Sequence, residues 1–244
     1  MKKFELISEF VTNVFGKKLF RIKALVSFGD VSAGELGGFV EKEENLSNNG
    51  NAWVSGNARV SGDARVSGDA RVSGDARVSG DALVSGNAQV SGNAQVSDNA
   101  WVSGNALVSG NAQVSDDAWV SGNALVSGNA QVSGDALVSG NAQVSDNARV
   151  SGDAWVSGNA QVSGDADFSV VTGFGRCFRA TTFFRCKDKI LRVQCGCFYG
   201  DLAKFREIVK KTHGDSKYAK EYLAIADLME LHFSDEEENQ EADK

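Results

Sequence analysis

The residue types able to do chemistry in this 244-residue chain gather near its end. Cys177, Cys186, Cys195 and Cys197 share one stretch with Arg176, Arg179, Arg185, Lys187, Lys189 and Arg192, interleaved with Phe174, Phe178, Phe183, Phe184 and Phe198. Thiolates bind zinc or exchange electrons, but a zinc knuckle needs paired C-x-x-C spacing, which these cysteines lack. Cys195 and Cys197 are expected on the same side of one strand. Free thiols in a reducing compartment are the first expectation, with zinc or redox chemistry as the alternative. Cationic side chains among aromatics clamp phosphates and stack bases, so the six basic residues form a candidate nucleic-acid surface. On a hairpin the same pattern instead sends the phenylalanines into a core and leaves the basic groups in water.

The two histidines, His213 and His232, stand near the ends of helical patterns, where capping or surface roles suffice. No nucleophile elbow, phosphate-cradling Gly-Lys-Ser/Thr motif or zinc-protease helix motif occurs. We therefore assign no catalytic residue, no metal ligand and no cofactor.

What must position anything else is a repeat. Nineteen valines recur at every sixth position from Val54 to Val162, each opening a phrase such as Val90-Ser91-Gly92-Asn93-Ala94, without one insertion or deletion. Such a period marks a solenoid. The residues around Val suit a short strand with Val as the one inward side chain, and Gly-Asn-Ala suits a corner. The Gly position is replaced by Asp98, Asp116 and Asp146 alone, a substitution that fits a left-handed backbone. Ordering one residue costs roughly 1–2 kcal/mol of backbone entropy, whereas burying one Val returns about 1.5–3 kcal/mol. A single hexad cannot fold alone, so the hexads must stack.

This repeat resembles the hexapeptide-repeat left-handed parallel β-helix, in which three hexads form one triangular coil. Phe28-Gly29-Asp30-Val31-Ser32-Ala33-Gly34, followed by Gly37-Gly38-Phe39-Val40, is similar to the opening segment of the YdcK-like solenoid proteins of bacteria and their phages. The resemblance implies a mainly β fold with residues 18 apart stacked about 4.8 Å from each other. It also implies a rival activity, because many left-handed hexapeptide proteins are acyltransferases. Those use a histidine base and a loop thrown out of the coil, and the repeat contains neither.

Stacking at 18 residues sorts the variable position before each Val into three columns. The first is Trp53, Arg71, Gln89, Leu107, Leu125, Gln143 and Gln161; the second is Arg59, Arg77, Gln95, Gln113, Gln131, Arg149 and Asp167. The third begins at Arg65 and continues as Leu83, Trp101, Trp119, Leu137 and Trp155, an outward apolar stripe of about 20 Å. A monomer seldom leaves such a stripe uncovered. We expect a second copy of the solenoid on it, with the C-terminal helices or another macromolecule as the other candidates. Gln95, Gln113 and Gln131 are expected to form an amide ladder. Corner positions collect Asp63, Asp81, Asp117, Asp135 and Asp153, with Asn99 interrupting. This acidic edge suits either a solvated corner or a divalent cation.

Composition fits a solenoid with small caps and no second large domain. Residues 1–53 carry seven basic against seven acidic groups, the repeat to Asp167 five against twelve, residues 168–234 twelve against seven, and the tail one against six. That asymmetry suits a binding surface or internal complementarity. No transmembrane stretch or secretory signal is legible, so a cytoplasmic protein without membrane partners is expected. Strands over 4–14 and 19–28 predict a hairpin cap. Strands over 174–186 and 190–198 predict a second hairpin, followed by helices over 201–213 and 216–233. The expected organisation is an N-terminal cap and first coil (1–53), the solenoid (54–168), a C-terminal α+β module (169–234) and a disordered acidic tail (235–244). These features together point to a noncatalytic scaffold or binding protein. An acyltransferase-like enzyme is the alternative, and a binder of nucleic acid or of nucleic-acid enzymes is the second.

Overall fold

The computed structural model describes residues 2–164, 168–186, 188 and 190–234. The chain divides into two compact units, with the boundary between Ala166 and Asp167. The expected acidic tail, 235–244, lies outside the described residues.

In the first unit, two-residue strands from Trp53–Val54 to Gln161–Val162 assemble into three parallel sheets. Each strand pairs with the one 18 residues further on: Gln95 with Gln113, Trp101 with Trp119, Leu107 with Leu125. Three hexads therefore close one coil, and the three columns read from the sequence are real neighbours. One expectation is corrected: among the described residues each hexad buries two side chains, not one. Val102 and Val120 are fully buried, and so are Ala100 and Ala118. The left-handed corner bends the chain so that Ala, four residues after Val, points inward again. Alanine fits where a second bulky side chain per hexad would overfill the coil.

Three backbone amides of a typical hexad donate to the following coil. Trp101 N–H donates to Ala118 O at 2.9 Å, Ser103 N–H to Val120 O at 2.9 Å and Asn105 N–H to Gly122 O at 2.7 Å. Coils this close leave no room above the corner. Gly104 has φ of 66°, and a Cβ there would lie 2.9 Å from both N and O of Gly122. The exceptions, Asp98, Asp116 and Asp146, hold φ of 58°, 58° and 55°, as the left-handed reading of the corner requires. Their carboxylates gain partners in return: Ser97 Oγ donates to Asp98 at 2.9 Å, and Gly134 N–H donates to Asp116 at 3.0 Å.

The N-terminal end follows from the same hydrogen-bond arithmetic. Because amides donate forward, the first coil presents carbonyls with no earlier coil to satisfy them, and buried unpaired carbonyls are costly. β1 (Phe4–Thr12), β2 (Lys18–Ala24) and β3 (Leu36–Val40) run antiparallel to one another and extend one sheet of the solenoid through β3. The expected hairpin is thus joined by a third strand. At one corner Phe39 N–H from β3 donates to Ala58 O at 2.9 Å. At the second, the Nζ of buried Lys3 donates to Ala52 O at 2.8 Å and Gly50 O at 3.3 Å. At the third, the Nδ2 of Asn45 donates to Ala64 O at 2.8 Å and Gly62 O at 3.1 Å. Two side chains stand in for a missing turn of backbone. Phe4, Leu19 and Ile22 are buried at this end, and Phe28 meets buried Trp53 edge to face at 5.5 Å.

The second unit is a four-stranded antiparallel sheet, Phe168–Val171, Thr181–Arg185, Leu191–Cys195 and Phe198–Asp201, with α1 (Leu202–His213) and α2 (Lys217–His232). The expected hairpin is corrected to four strands: Phe174–Ala180 forms no strand, and Gly196-Cys197 is a tight turn. Glycine at 196 and the short spacer break what alternation alone reads as a continuous strand. Both helices start on capping side chains: Asp201 accepts from Lys204 N–H, and Ser216 from Ala219 N–H. Their buried faces, Phe205, Val209, Tyr222, Ile225 and Met229, pack with Phe183 and Val193 of the sheet.

Candidate interaction surfaces

The stripe of Leu83, Trp101, Trp119, Leu137 and Trp155 lies on one six-stranded sheet, each residue registered on the next. Leu83, Trp101 and Trp119 stay 37%, 40% and 42% exposed, while Leu137 and Trp155 are half-buried. The indoles of Trp101 and Trp119 stack 5.0 Å apart and 5° from parallel. Each is anchored on the coil before it: Trp101 Nε1 donates to Ser85 Oγ at 3.1 Å and Trp119 Nε1 to Ser103 Oγ at 3.2 Å. The two rings thus cover one face of each other and are held as a rigid pair.

Two polar columns frame the stripe. On one side, Asp81, Asn99, Asp117, Asp135 and Asp153 precede the stripe residues by two positions. On the other, Asn87, Asn105, Asn123, Asn141 and Asn159 form a ladder in which each Nδ2 donates to the next Oδ1 at 2.9–3.1 Å. A second ladder runs through Asn93, Asn111, Asn129 and Asn147. The expected glutamine ladder is corrected by these observations, because Gln95, Gln113 and Gln131 make no side-chain bonds to one another. The short Asn side chain, fixed at a corner, spans the coil spacing; the longer Gln on a flat face does not need to.

The acidic edge is only partly free. Lys42 pairs with Asp63 at 2.5 Å and holds its carboxyl below the usual range, and Asn99 donates to Asp117 at 2.9 Å. No three carboxylates, thiols or imidazoles among the described residues converge on a cation position. The six basic residues of the second unit are also separated by their surroundings. Arg192 makes two bonds to Asp188 at 2.8 and 2.6 Å, holding that carboxyl at about 2, and Arg185 donates to Phe233 O at 2.7 Å. Arg176 and Arg179 are exposed on the 172–180 loop, while Lys187 and Lys189 lie outside the described residues. Of the interleaved phenylalanines, Phe183 and Phe184 are buried, whereas Phe174 and Phe178 are exposed. The cysteines are all free thiols: Cys186 buried, Cys195 half-buried, Cys177 and Cys197 exposed.

Comparison with known families falls on the repeat. Residues 52–158 match, in overlapping segments, the family model described as the YdcK β-solenoid repeat. The repeat over these residues is similar to the repeat of that family. The match covers the hexads and leaves out the Phe28–Val40 segment that carried the resemblance, so the YdcK solenoid is legible here from its coils. No curated protein matches the chain. No helix among the described residues is long and apolar enough to cross a membrane.

Sequence reasoning found the stripe because large apolar residues broke a polar column. It missed Lys3 and Asn45, whose only signal is being polar and single near the first coil, and it missed the asparagine ladders, hidden inside a phrase read as turn chemistry.

Proposed function

We propose that the chain is a noncatalytic scaffold whose Trp/Leu stripe docks a second copy of itself. The observation that carries this reading is the ladder of Leu83, Trp101 and Trp119, exposed and held rigidly at one-coil intervals. Such a surface is already ordered, so docking loses little side-chain freedom. A second copy is the partner whose side chains recur at the same interval over the same length.

The frame of the stripe favours one arrangement. In a symmetric pair with antiparallel solenoid axes, the two-fold sets each Asp edge against the same edge of its partner. In a pair with parallel axes, each Asp edge meets the partner's Asn ladder, which can donate to it. We assign the parallel pair, with the two-fold along the solenoid axis and Trp101 level with its own copy.

The test is the mass in solution by light scattering for the native chain and for Trp101→Ser with Trp119→Ser. The native chain is expected at twice the single-chain mass and the double variant at the single-chain mass, with unchanged circular dichroism. A native chain at single mass, or a variant that keeps the double mass, overturns the assignment.

A further inference from the structure

The second unit contains a pocket of about 390 Å3 lined by residues that neither the fold nor the stripe requires at a surface. Phe198, Phe205, Ile208, Val209 and Tyr222 supply its apolar lining, and Arg176 and Arg179 its charge. No Asp or Glu lines it. Its size lies within the range of small-molecule sites, roughly 300–1,000 Å3.

The loop carrying both arginines is fastened on purpose-built geometry. Gly175 N–H donates to Glu221 of α2 at 3.0 Å, and a Cβ on Gly175 would lie 2.0 Å from the Tyr222 hydroxyl oxygen. Only glycine lets the loop lie against that ring. Three residues later Phe178 takes φ of 52°, a left-handed conformation that is strained for a bulky residue. The backbone thus bends twice within four residues, and both arginines end up lining the same pocket.

Their charges are not spent on the protein. The other arginines of this unit are engaged: Arg192 by Asp188, Arg206 by Asp227 and Glu230, Arg185 by the Phe233 carbonyl. Arg176 and Arg179 have no carboxylate within ion-pair distance among the described residues. Glu221 of α2 is turned to Gly175 N–H at 3.0 Å and to Lys217 at 3.4 Å. At the apolar wall Tyr222 remains a neutral phenol, pushed up to about 12 by burial and then by Cys195. An apolar cavity with two unneutralised guanidiniums and no acid selects one ligand chemistry.

We infer that this pocket binds a small molecule with an apolar, ring-sized body and one anionic end, the body against Phe205, Val209 and Tyr222 and the anion on Arg176 and Arg179. Planar guanidiniums favour carboxylate, sulfonate or phosphate ends over a neutral polar group. This site is independent of the stripe and of the pairing assigned to it.

The experiment uses the full chain and two fluorescent probes of matched body: 8-anilino-1-naphthalenesulfonate, which is anionic, and N-phenyl-1-naphthylamine, which is neutral. Saturable binding of the anionic probe at one site per chain is expected. Arg176→Ala with Arg179→Ala should weaken it by about tenfold or more, as loss of charge-assisted bonds implies, and leave the neutral probe unchanged. Ile208→Trp should fill the pocket and abolish both. Trp101→Ser with Trp119→Ser should change neither, which separates this site from the stripe. Absence of saturable binding, equal affinity in the arginine variant, or loss of binding in the stripe variant alone overturns the proposal. Thermal melts of each variant confirm that the unit is folded.

Discussion

The solenoid and the C-terminal unit reach stability by opposite routes. In the solenoid, cohesion runs through amides that meet carbonyls one coil away, over a core of nothing larger than Val and Ala beyond the N-terminal cap. Any side chain that keeps the strand can stand outside, so its outer columns are free to carry surface chemistry. In the C-terminal unit, cohesion rests on aromatic rings from helices and sheet, with Phe205 touching Phe183, Phe198 and Tyr222 at ring separations of 6.0, 5.5 and 5.9 Å. There the same large residues that stabilise the unit also line its pocket. A repeat separates structure from surface, and a small mixed domain makes one residue serve both.

That contrast is sharpest at Phe205. Replacing it by Ala removes the ring at the centre of the helix and sheet core and should cost about 3–5 kcal/mol. A thermal or urea melt should show the transition of the C-terminal unit lowered and that of the solenoid unmoved; a shift of both would break the comparison.

The converse substitution is Gly104→Ala. The added methyl group enters a left-handed corner whose ceiling is Gly122 backbone, with an expected cost of about 1–3 kcal/mol. Only the solenoid transition should move. As a control on the same solenoid, Gln95→Ala on the open face should stay within about 0.5 kcal/mol.

A pH effect separates the two units at the amine of the solenoid's front end. Burial, and next the charge of Arg71, lower Lys3 to about 8 from 10.5. Between those values the folded chain has released the proton that the unfolded chain keeps, so stability rises as pH increases from 8 to 10.5. Melts across this window should show the rise for the native chain and its loss in Lys3→Met.

Legibility in the sequence divides along the same line. The hexad period, the inward valines and the left-handed Asp98, Asp116 and Asp146 were readable because a repeat states each constraint many times; the three-hexad coil came from the family resemblance. Helix limits at 202–213 and 217–232 were readable to within about a residue because Asp201, Ser216 and Gly214 mark them. The roles of Lys3 and Asn45 were not, since they depend on carbonyls exposed only once coils are stacked. The pocket was also hidden. Its arginines look like members of one basic run until Asp188 and the Phe233 carbonyl remove Arg192 and Arg185 from it.

The coil of three hexads also governs how this chain can change length. Duplicating or deleting 18 residues inside the array adds or subtracts a floor and keeps every column in line. A change of six residues leaves each hexad as sound as before, yet carries everything downstream onto the next face by a third of a turn. The tryptophans beyond the break would then leave their ladder and continue a different column. Selection on the stripe would tolerate lengthening only by whole floors.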